Sequence, residues 1–204
     1  MRLKPLLTPT LGMLLATVTL LCAQERRVES EQALAEIKRL KGQVKRDGSG
    51  PDKPVISVDL HGTRITDAGL EHLKGLSKLQ TLNLYNTKIT DAGLAHLESL
   101  TSLTTLFLNE TQITDAGLAH LKGLIRLAQL GLYRTPISDE GLAHLKGLTG
   151  LQKLTLSGKR ITDQGLVYLK PLTNLRELGL HGTKVTPAGI QELQRALPKA
   201  QILR

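Results

Sequence analysis

The chain has 204 residues, a formal net charge of +9, a single cysteine, three tyrosines, one phenylalanine and no tryptophan. One cysteine excludes a disulfide framework and any cysteine-based metal cluster. The basic balance invites a nucleic-acid reading, but no nucleic-acid motif accompanies it.

Met1–Lys4 carries two positive charges, residues 11–21 (LGMLLATVTLL) are apolar, and Cys22-Ala23 precedes the polar run Gln24-Glu25-Arg26-Arg27. That order predicts an export signal over residues 1–23, cleaved after Ala23, and a location that is periplasmic, cell-surface or secreted. Two alternatives stay open for the same segment. Cys22 could be lipidated, although Leu21 before it is bulky, and the segment could remain as a membrane anchor, although it is short for a span.

Residues 24–54 read as an N-terminal cap. Leu34, Ile37, Leu40 and Val44 recur at spacings of three and four, which predicts an amphipathic helix with Ser30 at its start and Gly42 at its end. A short extended piece at Gln43–Arg46 is expected to pair with the first strand of the repeat region. Asp47–Pro54 (DGSGPDKP) is turn-rich.

From Val55 to Arg204 the chain repeats itself with a period of 24 residues. A half unit (55–64) is followed by five full units (65–88, 89–112, 113–136, 137–160 and 161–184) and a closing segment (185–204). A fixed period of this length marks a stacked array in which each copy contacts its neighbours. In the unit 89–112, Leu94, Leu97 and Leu100 lay an apolar stripe on a short helix. Thr90 suits its N-cap, Asp91 suits the positive end of its dipole, and Gly93 suggests close approach of a neighbouring backbone. Leu106 and Leu108 share one face of a strand, which places Thr105, Phe107 and Asn109 on the other. Helix and strand alternate, so the strands are predicted to be parallel with all helices on one side. In the closing segment, Pro187 opens a last helix, and Leu193, Leu197, Ile202 and Leu203 are expected to seal the end of the array.

Leu79-x-x-Leu82-x-Leu84-x-x-Thr87-x-Ile89 resembles the leucine-rich repeat, and the opening Ile-Thr-Asp-x-Gly-Leu is similar to its cysteine-containing subtype. The resemblance covers Val55–Arg204. It implies an α/β solenoid of horseshoe shape, with a concave parallel sheet and short helices on the convex side. The chain departs from the family at one position, where Thr63, Thr87, Thr111, Thr135 and Thr183 replace Asn or Cys. Their hydroxyls are expected to bond neighbouring backbone as a threonine ladder. Lys159 breaks that column, so the turn after Leu156 is expected to be irregular or frayed.

The recurring ionisable residues point to scaffolding. His72, His96, His120 and His144 share one helical column, but each comes from a separate repeat, and four helices in a row cannot converge on one ion. Asp67, Asp91, Asp115, Asp139 and Asp163 read as helix-start residues, and Lys74, Lys122, Lys146 and Lys170 as a solvated flank with at most weak attraction to an anionic envelope surface. Asn109-Glu110-Thr111 fits a glycosylation acceptor pattern but falls inside the repeat's own turn. Every candidate carboxylate or histidine in the helices is copied, so no general acid–base pair stands apart. No catalytic residue, metal site or cofactor is expected.

What breaks the repetition is aromatic. Tyr85, Phe107 and Tyr133 fall on the concave side of three consecutive strands, with Asn83, Asn109, Asp59 and His61 along one edge and Arg134 at the turn. Exposed rings in a polar surround resemble an interface hot spot. The rival reading has the Phe107 ring covering Gly131 in the adjacent strand. The resemblance implies a non-catalytic, monomeric module that recognises a protein or peptide on its concave sheet. The alternative is a structural or spacer component of the cell envelope.

Overall fold

The computed structural model describes residues 31–48 and 53–204. The expected leader over residues 1–23, Cys22 and Ser30 all lie outside these residues. The chain forms an unclosed eight-stranded sheet in sequential order: β1 (Gln43–Arg46), β2 (Val55–Asp59), β3 (Thr81–Asn83), β4 (Thr105–Phe107), β5 (Gln129–Leu132), β6 (Lys153–Ser157), β7 (Glu177–His181) and β8 (Gln201–Leu203). β1 pairs antiparallel to β2, and every later pair is parallel. The crossovers carry α2 (Asp67–Glu71), α3 (Asp91–Ala95), a single-turn 3₁₀ helix at Gly117–Leu121, α4 (Asp139–Leu142) and α5 (Asp163–Leu166). α6 (Pro187–Ala196) follows β7. A stable right-handed helix as short as those between the strands owes its existence to packing rather than to propensity.

The core is a stack of leucines. Leu82, Leu106, Leu130 and Leu154 pair in register through β3 to β6, all buried, and Leu84, Leu108, Leu132 and Leu156 form a second buried row beside them. Leu94, Leu97, Leu100 and their equivalents close the layer from the helical side. Each repeat alone would leave these faces wet, so the rows bind the array together through burial shared with the next copy.

Both ends are capped: at the N-terminal end a helix precedes β1, which pairs with β2 as expected, and the differences from the expectation lie in particular residues. Among the described residues the first helix, α1, covers 31–39. Ala33 and Ile37 are buried, with Leu34 and Leu40 packed at the edge of the core. Val44 is not part of this helix: it lies in β1, 42% exposed, because the chain has already turned. Lys41, with φ 59°, is the left-handed residue that ends α1, and the Gly42 amide returns to the Ile37 carbonyl at 2.9 Å. Gly42 is needed for a different reason: a Cβ there would sit 2.7 Å from the Leu60 side chain. At the far end, Leu193 and Leu197 are buried, but Leu203 is 38% exposed, because β8 adds one more strand and presents its alternate residues outward.

The turn at Lys159 is not frayed. Gly158 adopts φ 106°, Lys159 points to solvent, and the Gly158 and Ile161 amides bond the His181 and Gly158 carbonyls at 3.2 Å each. Buried Ser157 supplies an oxygen to the Arg134 amide at 2.5 Å.

Candidate partner-binding face

The outward side of the sheet carries three columns of side chains. The first runs Ser57, Thr81, Thr105, Gln129, Lys153 and Glu177, and the second Asp59, Asn83, Phe107, Gly131, Thr155 and Gly179, both paired in register from β2 to β7. The third lies two residues further along each strand: His61, Tyr85, Asn109, Tyr133, Ser157 and His181. Strand alternation sends all three columns to the face opposite the leucines. Tyr85 is 39% exposed, while Phe107 and Tyr133 are half-buried.

The three rings do not form the expected cluster. Tyr85 and Tyr133 share the third column with Asn109 between them, and Phe107 stands in the second. Among the described residues the ring contact on this face is Tyr133 edge-on to His181, centroids 6.0 Å apart, across the small side chain of Ser157. Arg134 lies over the Tyr133 ring at 5.2 Å and pairs with Glu110 at 3.0 Å. Phe107 does not cover Gly131. That space belongs to Asn109, whose amide atoms would lie 2.7 Å from a Cβ at Gly131 and whose Oδ1 accepts the Tyr133 amide at 2.8 Å.

The polar residues expected to rim the patch hold backbone. Asp59 Oδ1 accepts the His61 amide at 3.0 Å and lies 2.9 Å from the His61 ring nitrogen. Asn83 Oδ1 accepts the Tyr85 amide at 3.1 Å. In each case a carboxylate or amide oxygen closes a local turn. Asn109 makes the same kind of bond one repeat further on, since the sheet there has no side chain at Gly131 to obstruct it.

The threonine hydroxyls act within their own repeats and not from copy to copy. Thr63, Thr87, Thr111, Thr135 and Thr183 each donate to the carbonyl three residues earlier, at 2.7, 2.7, 2.6, 2.7 and 3.0 Å. Thr87, Thr111 and Thr135 are buried.

The ladder that does run between repeats is made of aspartates, and sequence periodicity alone misses it. Asp67, Asp91, Asp115, Asp139 and Asp163 each reach the next copy, to Thr90, Thr114, Ser138, Thr162 and Thr186. One carboxylate oxygen accepts the backbone amide at 2.7–2.9 Å and the other accepts the hydroxyl at 2.5–2.6 Å. Thr90 makes no side-chain cap bond and its hydroxyl donates to Asp67, whereas Thr162 and Thr186 donate to their aspartates and also accept a cap amide. Gly93, Gly117, Gly141, Gly165 and Gly189 leave the room, because the atom nearest a Cβ at each is the carboxylate of the preceding repeat's aspartate. The close approach expected at Gly93 is to this side chain rather than to a backbone. The signal in the sequence is a glycine two residues after each aspartate, a choice that costs a helix about 1 kcal/mol and so needs a reason.

On the helical flank, His120 pairs with Glu98 of the preceding repeat at 2.6 Å, and Lys74 and Lys170 pair with Glu71 and Glu192. The Lys170 ammonium holds the Glu192 carboxyl below the usual range, as the Arg39 guanidinium does for Glu36.

Residues 55–113 match the family model described as leucine rich repeat. No curated protein sequence matches the chain. Among solved structures, internalin C2 of Listeria monocytogenes is similar at 23% identity and TM-score 0.56, covering 84% of this chain and 80% of that one. A leucine-rich repeat protein of Leptospira interrogans is similar at 24% identity and TM-score 0.51, over 65% of this chain and 33% of its own. The complex PEPR1-AtPEP1 is similar at 19% identity and TM-score 0.52, over 78% of this chain and 25% of that chain.

Proposed function

With the chain established as a leucine-rich repeat solenoid, we propose that it is a non-catalytic module that binds a protein or peptide on the open face of its sheet. Proteins of this fold are commonly interaction modules, and one similar structure is itself a complex. The observation that carries the reading is the placement of Tyr85, Phe107 and Tyr133, three of the chain's four aromatic residues, on one face whose other side chains are small, polar or charged. Rings at a face of this kind supply large contact area at small conformational cost. The repeat residues supply shape and no chemistry. The proposed setting is outside the cytoplasm, on the strength of the N-terminal charge and apolar pattern; N-terminal sequencing of native material would find Gln24 first, and retention of Met1 would refute cleavage.

A second reading, an envelope spacer, draws support from Asp59, Asn83 and Asn109, which spend their polar atoms on backbone and ring positioning and leave less to offer a partner. Affinity capture from the source organism's envelope separates the two. Phe107→Ala is expected to leave the fold intact and weaken capture by more than about tenfold, or ~1.4 kcal/mol. Tyr168→Ala, on the helical side, is expected to change nothing. Equal loss from both, or none from Phe107→Ala, would remove the open face as the docking site.

A further inference from the structure

Each repeat turns after its strand through a residue in the left-handed region: Gly62 (φ 63°), Asn86 (52°), Glu110 (56°), Arg134 (54°), Gly158 (106°) and Gly182 (63°). Glycine and asparagine adopt this conformation readily, and other side chains pay about 1–2 kcal/mol for it. Glu110 and Arg134 stand there side by side, in consecutive repeats, as the two exceptions. Strain held in place at a surface turn is a reason to look for a function there.

The first four of these turns line one groove of about 600 Å³ along the ends of the strands, bordered by Arg64, Lys88, Glu110, Gln112 and Arg134. Arg64 and Lys88 occupy the same position of consecutive repeats, in the loops that follow adjacent strands. Both are exposed, and neither has an ion pair among the described residues. Arg134 gives one arm of its guanidinium to Glu110, and its side chain is still 65% exposed, so further donors face the groove. Two unpaired cations and a partly used guanidinium against a single carboxylate leave the groove positive. The groove is also continuous with the aromatic face: Asn86 follows Tyr85 in the chain, and the Arg134 guanidinium rests on the Tyr133 ring.

We propose that this groove takes an acidic segment of the same partner that docks on the open face, an aspartate- or glutamate-bearing stretch flanking an apolar residue. The proposal rests on the protein-binding reading above. Carboxylates between Arg64 and Lys88 relieve their mutual repulsion, and Arg134 offers a planar donor pair that a carboxylate matches. Glu110 in the middle of the groove selects against a uniformly charged polymer or lipid surface, which would have to place an anion against it. A peptide can put a neutral residue there.

The test pans a random peptide phage library against the full-length chain, the double variant Arg64→Glu/Lys88→Glu and the variant Phe107→Ala. Circular dichroism first confirms that each is folded. The wild-type pool is expected to gain Asp and Glu next to an apolar residue, and the double variant is expected to lose that acidic bias and bind wild-type-selected peptides at least about tenfold more weakly, ~1.4 kcal/mol. Equal acidic content in the two pools, or an empty wild-type pool, overturns the proposal. So does charge-dependent binding to phosphatidylglycerol vesicles without acidic enrichment among the peptides, which would assign the groove to a membrane surface. The arms separate the two claims. A Phe107→Ala pool that keeps its acidic bias and its affinity sinks the open-face reading and leaves the groove, whereas apolar selection without acidic bias sinks the groove and leaves the open face.

Discussion

Removing one rung of the aspartate ladder gives a direct measure of what joins the repeats. Asp139 accepts the Thr162 amide at 2.8 Å and its hydroxyl at 2.6 Å. A hydrogen bond to a charged group contributes about 1.5–3 kcal/mol net. Both residues are half-exposed, so the lower end applies, and Asp139→Ala is expected to cost about 2–3 kcal/mol. Gly165→Ala acts on the same rung from the other side. Its Cβ would run into the Asp139 carboxylate and come within 3.0 Å of Leu142 Cδ1, against a gain in helix propensity of about 1 kcal/mol. The carboxylate must move away and lose its bonds, so the single variant is expected to lose about 1–3 kcal/mol. In the Asp139→Ala background that obstacle has gone, and the added methyl is expected to be nearly neutral. The double variant should therefore be more stable than the sum of the singles predicts by about 1–3 kcal/mol. Guanidinium unfolding midpoints, compared at unchanged m-value, measure this. Strict additivity, or a cost of Asp139→Ala below about 0.5 kcal/mol, would refute the rung as a stabilising link.

Within the core, Leu106→Ala empties a fully buried site in the middle of the leucine stack and is expected to cost about 2–5 kcal/mol by denaturant midpoint. Thr111→Val keeps the shape but deprives the Leu108 carbonyl of a 2.6 Å donor, for an expected loss of about 1–3 kcal/mol; a neutral result would show that the hydroxyl is dispensable. For acid stability the sign is set by Glu192 and Glu36, held below their ordinary range by Lys170 and Arg39 respectively. A lowered carboxyl contributes stability that is present above its unfolded value, near 4.3, and lost as pH falls through the folded one. The unfolding midpoint is expected to stay flat from neutral pH to about 5 and to fall below about 4, with a shallower fall in Glu192→Gln; a midpoint that rises on acidification would contradict this.

The repeated scaffold is legible in the sequence because its signals are local. Leucines two apart make a strand face and leucines three apart a helix stripe, and a period of 24 residues then stacks them without further information. What the periodicity cannot reveal lies between copies. Asp139 and Thr162 each look like ordinary helix-start residues, and only the stacked geometry shows that the carboxylate spans to the next copy. The aromatic face is obscured in the same way. Tyr133 meets His181 two repeats on because Ser157 between them is small, and Phe107 is kept from Gly131 because Asn109 reaches there first. Val44 misleads for a different reason: its spacing fits the helix stripe, but Lys41 and Gly42 have already ended the helix.

In an array made by copying, a residue that recurs in every unit is explained by the unit, and the departures are what need an explanation of their own. Glu110 and Arg134 depart at a position where the backbone disfavours them, which makes their removal informative. Glu110→Gly with Arg134→Gly restores the residue that Gly62, Gly158 and Gly182 already show to be sufficient for the turn. Relief of left-handed strain is worth about 1 kcal/mol per site, partly offset by the freedom glycine adds to the unfolded chain. The ion pair lost is exposed and contributes about 0–1 kcal/mol. The stacking of Arg134 on Tyr133 adds about 0.5–1 kcal/mol more. These effects nearly cancel, so the double glycine variant is expected to match or slightly exceed the wild-type unfolding midpoint while binding wild-type-selected acidic peptides more weakly. Residues kept for stability would behave in the opposite way, and a variant that unfolds substantially earlier with peptide binding unchanged would show that Glu110 and Arg134 serve the turn alone.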